Sequence, residues 1–405
     1  MIISISVRRV DFKLFAQTIE KDEIMAKKDI AILDIGSSSI TTLVGERGVN
    51  NTFKIKGKGT AEYAGFSDGS FIEPEQLKFA IGLSISNAET SSGVRITDLF
   101  VGVPGEFSNV VTKDVCINFN KRKKINNTDI DQLFYVGNEY RKHPTYSVIN
   151  QAAIYFSLDN TSRLIDPIGL PSTKLKGLVS YVLAENNFID FITDTINDIG
   201  IRKVYFVSSC LAECLYLFDP MVRDRYVLLV DCGYISTSVM LGRGDGLLFM
   251  NSFSLGGGYI TADISQCLKL SFVAAENLKR KLDLSWNAKD GDTYDLHVGD
   301  YVQAIDAPTA NMIAEERIKM IGDYIQKCID RCEFDFPEYI PVHLTGGGLN
   351  FMKGAKEVLS KKLGRKIEII APTLPHTNRP DYSSEIGVLD LALHLVSGDN
   401  SIMVR

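Results

Sequence analysis

Residues 30–45 read IAILDIGSSSITTLVG, and residues 227–242 read VLLVDCGYISTSVMLG. At a constant offset of 197 residues, Asp34 aligns with Asp231, Gly36 with Gly233, Ser39 with Ser236 and Gly45 with Gly242. In each copy an apolar strand ends in Asp-x-Gly, the chain turns through small hydroxyl residues, and a second apolar strand follows. Self-similarity at about half the chain length predicts two related domains rather than a short-period solenoid. Outward from the first copy, residues 51–61 alternate as a third strand. Helical spacing over 73–89 puts Leu77, Ala80, Ile81 and Ile85 on one side, and the same period recurs over 187–199, 273–282 and 311–332. The class is α/β.

The chemistry of the repeated loop follows from its residue types. A tight hairpin aims successive backbone N–H groups into one concavity, which makes an anion site. Glycine permits close approach of a phosphate, and serine adds a hydroxyl donor. An aspartate at the strand end offers a hard oxygen to Mg²⁺, through water as nucleotide sites usually do. Two such loops facing each other would grip the phosphate tail of ATP from both sides. A third element completes the set: Pro341-Val-His-Leu-Thr-Gly-Gly-Gly-Leu-Asn350 is an apolar strand entering three glycines, and a helical pattern over 351–363 follows. Bare backbone there accepts a flat ring, and the helix N-terminus behind it favours phosphate charge.

The 405 residues correspond to two to four compact units at roughly 100–200 residues each. With 45% hydrophobic and 23% charged residues, the composition is that of a globular protein and excludes wholesale disorder. The 44 basic residues fall short of the 50 acidic ones, for a net charge of −6, which argues against nucleic acid as a partner. Seven scattered cysteines, an odd number, predict a reducing, cytoplasmic compartment rather than a disulfide framework. No apolar run approaches the roughly 18–20 residues of a spanning helix. Residues 1–24 place Ile3, Val7, Val10 and Leu14 at helical spacing among basic residues. That pattern suits a surface-lying amphipathic helix, and the simpler reading starts the natural chain at Met25.

Phosphate loop, phosphate loop and glycine-rich adenosine loop in this order resemble the actin-like ATPases, which include actin, chaperone ATPases and sugar kinases. Within that superfamily the chain is most similar to FtsA, the bacterial cell-division family that links the FtsZ ring to the membrane. The likeness spans residues 29 to about 396. It lies in Leu99-Phe-Val-Gly-Val-Pro-Gly105, Ile165-Asp-Pro-Ile-Gly-Leu170, Leu255-Gly-Gly-Gly-Tyr-Ile-Thr-Ala-Asp-Ile264 and Ala275-Glu-Asn-Leu-Lys279. The resemblance implies a duplicated, ribonuclease H-like actin fold with two lobes around a nucleotide cleft and an FtsA-type small inserted domain. It divides the chain into an extension (1–28), a first half (29–106 and 185–226), the insert (107–184), a second half (227–396) and a short tail (397–405).

The resemblance further implies ATP and Mg²⁺ as cofactors. Asp34, Gly36, Ser37, Ser38 and Ser39 would form the first phosphate loop, and Asp231, Gly233 and Ser236 the second. Both aspartates would serve the metal. Gly256, Gly257, Gly258, Glu276 and Lys279 would lie near ribose and base, with Gly346, Gly347 and Gly348 carrying the adenosine. Glu213 stands where related ATPases place a water-positioning residue, and by sequence it reads equally as a helix-surface glutamate. Implied partners are the FtsZ C-terminal tail, received by the helix over 311–332 and residues 333–339, other division proteins, and further copies in a filament. The implied location is the inner face of the membrane at the division site.

Three departures qualify the likeness. The family's second loop is typically Asp-x-Gly-Gly-Gly-Thr, whereas this chain has Asp231-Cys-Gly-Tyr-Ile-Ser236. A β-branched residue at positive φ would be an outlier, so the loop either takes another path or holds the γ-phosphate poorly, and hydrolysis is expected to be weak or absent. The C-terminal amphipathic helix of FtsA has no counterpart in residues 397–405. The stretch Tyr146-Ser-Val-Ile-Asn-Gln-Ala-Ala-Ile-Tyr155 also diverges, which points the insert to a different partner. The rival readings are a small-molecule or acyl-phosphate kinase on the same fold, and a PilM-like nucleotide-binding adaptor of a pilus or secretion machine. Cys210/Cys214 and Cys328/Cys332 read as buried small hydrophobes rather than zinc ligands. His343 reads as a core residue, and the Lys121–Lys124 run as a solvated loop.

Overall fold

A computed structural model describes residues 29–48, 52–159, 161–298 and 301–397. The expectations for residues 1–28 and 398–405 lie outside the described residues.

The first half opens with β1 (Asp29–Ile35), β2 (Ser39–Arg47) and β3 (Phe53–Glu62), then the two-residue strands β4 (Phe66–Ser67) and β5 (Ser70–Phe71). Helix α1 (Pro74–Ser92) and β6 (Asp98–Val103) follow. Helix α1 starts with a proline in its first turn and stops at Gly93, whose φ of 70° ends the helix in the left-handed region. Residues 108–185 then form β7 (Ser108–Lys124), α2 (Asn127–Gly137), β8 (Tyr146–Leu158), β9 (Thr161–Leu164) and β10 (Pro171–Glu185). The chain returns through α3 (Asn186–Asp198), β11 (Lys203–Ser208), α4 (Ser209–Leu217) and α5 (Pro220–Arg223). The second half holds β12 (Val227–Cys232), β13 (Thr237–Arg243), β14 (Gly246–Phe253), α6 (Gly257–Leu268) and α7 (Phe272–Lys279). It ends with β15 (Thr293–Val298), β16 (Tyr301–Asp306), α8 (Ala307–Asp330), β17 (Val342–Thr345), α9 (Ala355–Leu363), β18 (Ile367–Ile369) and α10 (Ser383–Ser397).

The repeat written in the sequence is a repeat of topology. One five-stranded sheet runs β11-β6-β1-β2-β3 and the other runs β18-β17-β12-β13-β14. In both, the three leading strands form an antiparallel meander and the two later strands add in parallel beside the first. Such parallel strands need both faces covered. On the first sheet, Leu77, Ile81 and Ile85 of α1 join Phe188, Ile192 and Ile196 of α3 on one side. On the other side Ile32 and Leu43 meet Ile386 and Leu389 of α10. The final helix thus leaves the second half and packs against the first. On the second sheet, Leu228, Val230 and Val239 meet Ile260 and Ile264 of α6 and Ile318, Ile321 and Ile325 of α8.

Residues 108–185 build a four-stranded antiparallel sheet in the order β7-β10-β8-β9. Helix α2 covers it with Leu133 and Phe134 against Leu175, Val179 and Tyr181. Its N-terminus is fixed by a capping box between Asn126 and Asp129.

The glycine-rich run requires one correction. The helix expected over 351–363 begins only at Ala355, behind a turn that occupies 346–354. Gly354, at φ 81°, is its N-cap, so no α9 N-terminus stands directly behind the three glycines.

A single buried arginine ties the segment between the halves to the second sheet. Arg223 is 1% exposed. Its guanidinium donates to the carbonyls of Gly244 at 2.8 Å, Leu215 at 2.9 Å and Phe218, and pairs with Asp245 at 3.0 Å. Removing the cation would leave a buried carboxylate and three carbonyls without their donor. Arg223→Met is therefore expected to destabilise the protein by about 3–5 kcal/mol, read from denaturant unfolding at neutral pH. A loss below about 1 kcal/mol, the range of an exposed ion pair, would contradict this account.

Candidate functional site

The two Asp-x-Gly hairpins close in the same way. Gly36 N–H donates to Ser39 O at 3.0 Å, and Gly233 N–H donates to Ser236 O at 2.8 Å. Asp34 pairs across its ladder with Thr41, and Asp231 with Ser238. Neither Tyr234 nor Ile235 has a positive φ. The second loop therefore makes its turn without the strained backbone that its sequence threatened. The loops also touch: Ile235 N–H donates to the Ser37 hydroxyl at 3.0 Å.

Between them opens a cleft of about 1210 Å³. Asp34, Gly36, Ser37, Ser38 and Ser39 line it from the first half, with Asp231, Gly233, Ser236, Glu276, Lys279, Gly346, Gly347 and Gly348 from the second. Glu213 lines it from α4. The sequence alternative of a helix-surface glutamate is corrected here, because Glu213 is 2% exposed. Gly256, Gly257 and Gly258 stand behind the wall instead. Gly257 N–H donates to Gly233 O at 3.0 Å and Gly258 N–H to Tyr234 O at 2.7 Å, so the start of α6 braces the second loop. Gly348 N–H donates to Cys232 O at 2.7 Å, and Gly346 has φ 84°. A Cβ on Gly346 would run into the Asp231 carboxylate. Two of these three glycines therefore serve backbone packing, and Gly347 faces the cleft with Phe351 and Asp381 as its neighbours.

Three carboxyls share the closed end. Asp34 accepts from the Ser384 hydroxyl at 2.6 Å, and its carboxyl is pushed up to about 6 by burial, opposed by Ser384 and reinforced by the charge of Asp231. Burial likewise pushes Asp231 up to about 6. Glu213 is held well above the carboxylate range by burial, then by Asp231 and Asp34. One of its oxygens, Oε2, has no hydrogen-bond partner. Among the described residues no group of three His, Cys, Asp or Glu has metal-holding geometry. Cys210 and Cys214 are buried thiols pushed up by desolvation. His343 donates from Nδ1 to Leu228 O at 3.3 Å within the second sheet, against Phe218.

Glu276 and Lys279 are engaged with each other at 2.7 Å. Lys279 also donates to Gly257 O at 3.1 Å beneath the ring of Tyr234, and Thr261 donates to Glu276. Tyr234, the unexpected side chain of the second loop, thus roofs this pair.

Sequence reasoning missed a whole wall. Lys58, Thr60 and Glu62 of β3, Arg379 and Tyr382 just before α10, and Ser384 and Glu385 at its start also line the cleft. Alternation along β3 marks its first three as one face, but nothing local in the sequence brings α10 to Asp34.

The raised carboxyls make a signed prediction. Asp34 and Asp231 bind their protons more tightly in the folded state, so their contribution to stability is complete below the unfolded value near 3.8 and is lost as pH rises through about 6. Asp231→Asn, which cannot ionise, is expected to melt above the parent at pH 8 without nucleotide and to converge on it near pH 4. Scanning fluorimetry across this range checks it, and a variant melting below the parent at pH 8 would refute it.

The family model "Cell division protein FtsA" matches residues 228–387. Cell division protein FtsA of Streptococcus pneumoniae is 26% identical over 365 residues, covering 89% of this chain and 79% of that protein. FtsA of Pseudomonas aeruginosa is 22% identical, covering 94% and 93%. Among solved structures, the PilM–PilN type IV pilus biogenesis complex gives a TM-score of 0.60 at 17% identity, covering 90% of this chain and 98% of that chain. MreB 5 of Spiroplasma citri bound to AMPPNP gives 0.53 at 8%, covering 90% and 96%. These structures establish the fold as actin-like, with its paired sheets around one cleft. By sequence, over most of its length, the chain is similar to FtsA cell-division proteins at 22–26% identity.

Proposed function

We propose that the chain is an FtsA-like scaffold of bacterial cell division that binds ATP in the cleft, assembles into filaments and recruits the FtsZ ring and other division proteins. The observation that carries this reading is the convergence of the two Asp-x-Gly hairpins on one cleft, in a chain whose motifs are those of FtsA. Nucleotide filling the cleft would touch both halves and fix their relative angle, and so set the surfaces offered to other copies and partners.

Mg²⁺ fits the residues present. Asp34 and Asp231 offer hard oxygens whose ionisation burial and mutual repulsion oppose, and Glu213 Oε2 lacks a partner, so a divalent cation would relieve an existing electrostatic cost. When bound with nucleotide, the metal would neutralise phosphate charge. The chain's own residues would do the rest: Ser37 and Ser38 would donate hydroxyls to phosphate, the Gly36 and Gly233 turns would keep the backbone close, and Gly347 would leave room for the base. Slow or absent hydrolysis follows from Glu213. Burial raises the Glu213 carboxyl above its ordinary range, which disfavours the ionised form that would accept the proton of an attacking water.

Helix α8 and residues 333–339 are the proposed receptor for the FtsZ tail. Met312, Met320 and Tyr324 on α8 and Tyr339 beyond it are exposed, an apolar offering suited to a short peptide. Among the described residues no helix is long and apolar enough to cross a membrane. Contact with the inner membrane face is proposed to come through residues 1–24 or through a partner.

Sedimentation of the purified chain with ATP, ADP or no nucleotide, with and without anionic liposomes, tests the assembly. ATP-dependent pelleting is expected, with turnover far below the roughly 1–10³ s⁻¹ of ordinary enzymes. An FtsZ C-terminal peptide should bind in the presence of ATP. Failure to pellet and to bind that peptide under every condition would remove the scaffold reading.

A further inference from the structure

Four cations line the cleft: Lys58, Lys279, Arg280 and Arg379. Three are committed away from its closed end. Lys279 is buried between Gly257 O and Glu276, Arg280 pairs with Glu276 at 3.0 Å, and Arg379 pairs with Asp381. Lys58 differs. It projects from the open face of β3, beside Thr60 and Glu62, and its positive charge reaches the Asp34 carboxylate. Its ammonium is held by both oxygens of Glu385, at 2.7 and 2.9 Å, and lies 4.5 Å from the ring centre of Tyr382. The Glu385 side chain is 6% exposed and the Lys58 side chain 37%. The buried partner is therefore fixed while the cation can swing.

We propose that Lys58 is the terminal-phosphate contact of this cleft: when a nucleoside triphosphate enters, its ammonium leaves Glu385 for the γ-phosphate, while a diphosphate leaves the pair closed. The inference rests on the nucleotide-binding reading of the same cleft. Three features make the exchange feasible. Lysine is a flexible point cation suited to following a phosphate. Asp34, which the Lys58 charge already reaches, is the first phosphate loop's own carboxylate, so the cation needs to travel only within one end of the cleft. Glu385 is not stranded by the departure. Its carboxyl, pushed up to about 7 chiefly by burial, takes a proton readily and keeps a hydrogen bond to Thr41. The consequence is mechanical. Lys58 lies on β3 and Glu385 on α10, the helix that returns from the second half to cover the first sheet. Opening the pair on triphosphate binding frees the start of α10 from β3, and so distinguishes the two nucleotide states in the fold itself.

Calorimetry with AMPPNP and with ADP, both with Mg²⁺, tests the assignment on the full chain. Lys58→Met is expected to weaken AMPPNP about tenfold or more and to leave ADP within about twofold, as loss of one charge-assisted contact requires. Glu385→Gln, which releases Lys58 without removing it, is expected to strengthen AMPPNP roughly threefold relative to ADP, and it carries the test alone if Lys58→Met fails to fold. Equal losses for both nucleotides in Lys58→Met, or an unchanged AMPPNP-to-ADP ratio in Glu385→Gln, would overturn the role of Lys58 and leave nucleotide binding intact. A parent chain that binds neither nucleotide would overturn the nucleotide reading, and this proposal with it.

Discussion

Burying three carboxyls at one end of a cleft is the constraint from which the rest of the molecule can be understood. Asp34, Asp231 and Glu213 come from the first sheet, the second sheet and the helix between them, so their mutual repulsion acts across the junction of the two halves. A fold that places like charges together in a low-dielectric site must hold them by other means. The means are visible around them. Ser384 reaches from α10 to Asp34, and farther off Arg223 ties the segment after α4 to the turn between β13 and β14. The beginning of α6 is bonded to the loop that follows Asp231. The raised carboxyls mark a place where burial and like charge oppose ionisation, so stability is given up there.

The glycines around Asp231 show how that site is held to shape. Where Gly233, Gly257 and Gly348 meet, backbone lies directly on backbone, joined by hydrogen bonds of 2.7 to 3.0 Å. Side chains at Gly257 or Gly348 would force these segments apart. Such contact braces the loop from behind, in addition to its own turn. It also explains why Tyr234 and Ile235 are tolerated where the FtsA pattern has glycine: the loop's path is imposed from behind, and neither residue needs a left-handed backbone. Their side chains then acquire tasks. Tyr234 covers Lys279, and the Ile235 amide engages Ser37 across the cleft.

The duplicated hairpin was legible in the sequence because it is local: an apolar run, Asp-x-Gly and a second apolar run within sixteen residues. The same locality made the helix periods over 73–89 and 311–332 readable to within a few residues of Pro74–Ser92 and Ala307–Asp330. Glycine-rich Gly346–Gly348 misled for a physical reason. The apolar spacing of Phe351, Met352 and Leu359 resembles a helix, but Gly354 at φ 81° delays its start to Ala355. The wall formed by Lys58 and Glu385 was illegible. Its two residues lie 327 apart in the chain, and only the return of α10 to the first sheet brings them together. Glu213 shows the complementary limit: its helix could be read, but its burial depends on the packing of α4 between the halves.

That return of α10 has a consequence for how the halves can move. If the second half ended with its own sheet, the two lobes would be joined only through the α4–α5 segment. Instead the chain crosses again after β18, and Ile386, Leu389 and Val388 are fully buried in the first half. The crossing segment carries Arg379 to Glu385 past the cleft. Thr345 at the end of β17 is bonded to Ser383 at the start of α10, and Ser383's neighbour Ser384 is bonded to Asp34. A change at the Asp34 end of the cleft therefore meets both connections at once, one at Glu213 on α4 and the other at Ser384 and Glu385 on α10. Two tethers, α4 and α10, thus flank one cleft, and each reaches it with residues that line its wall.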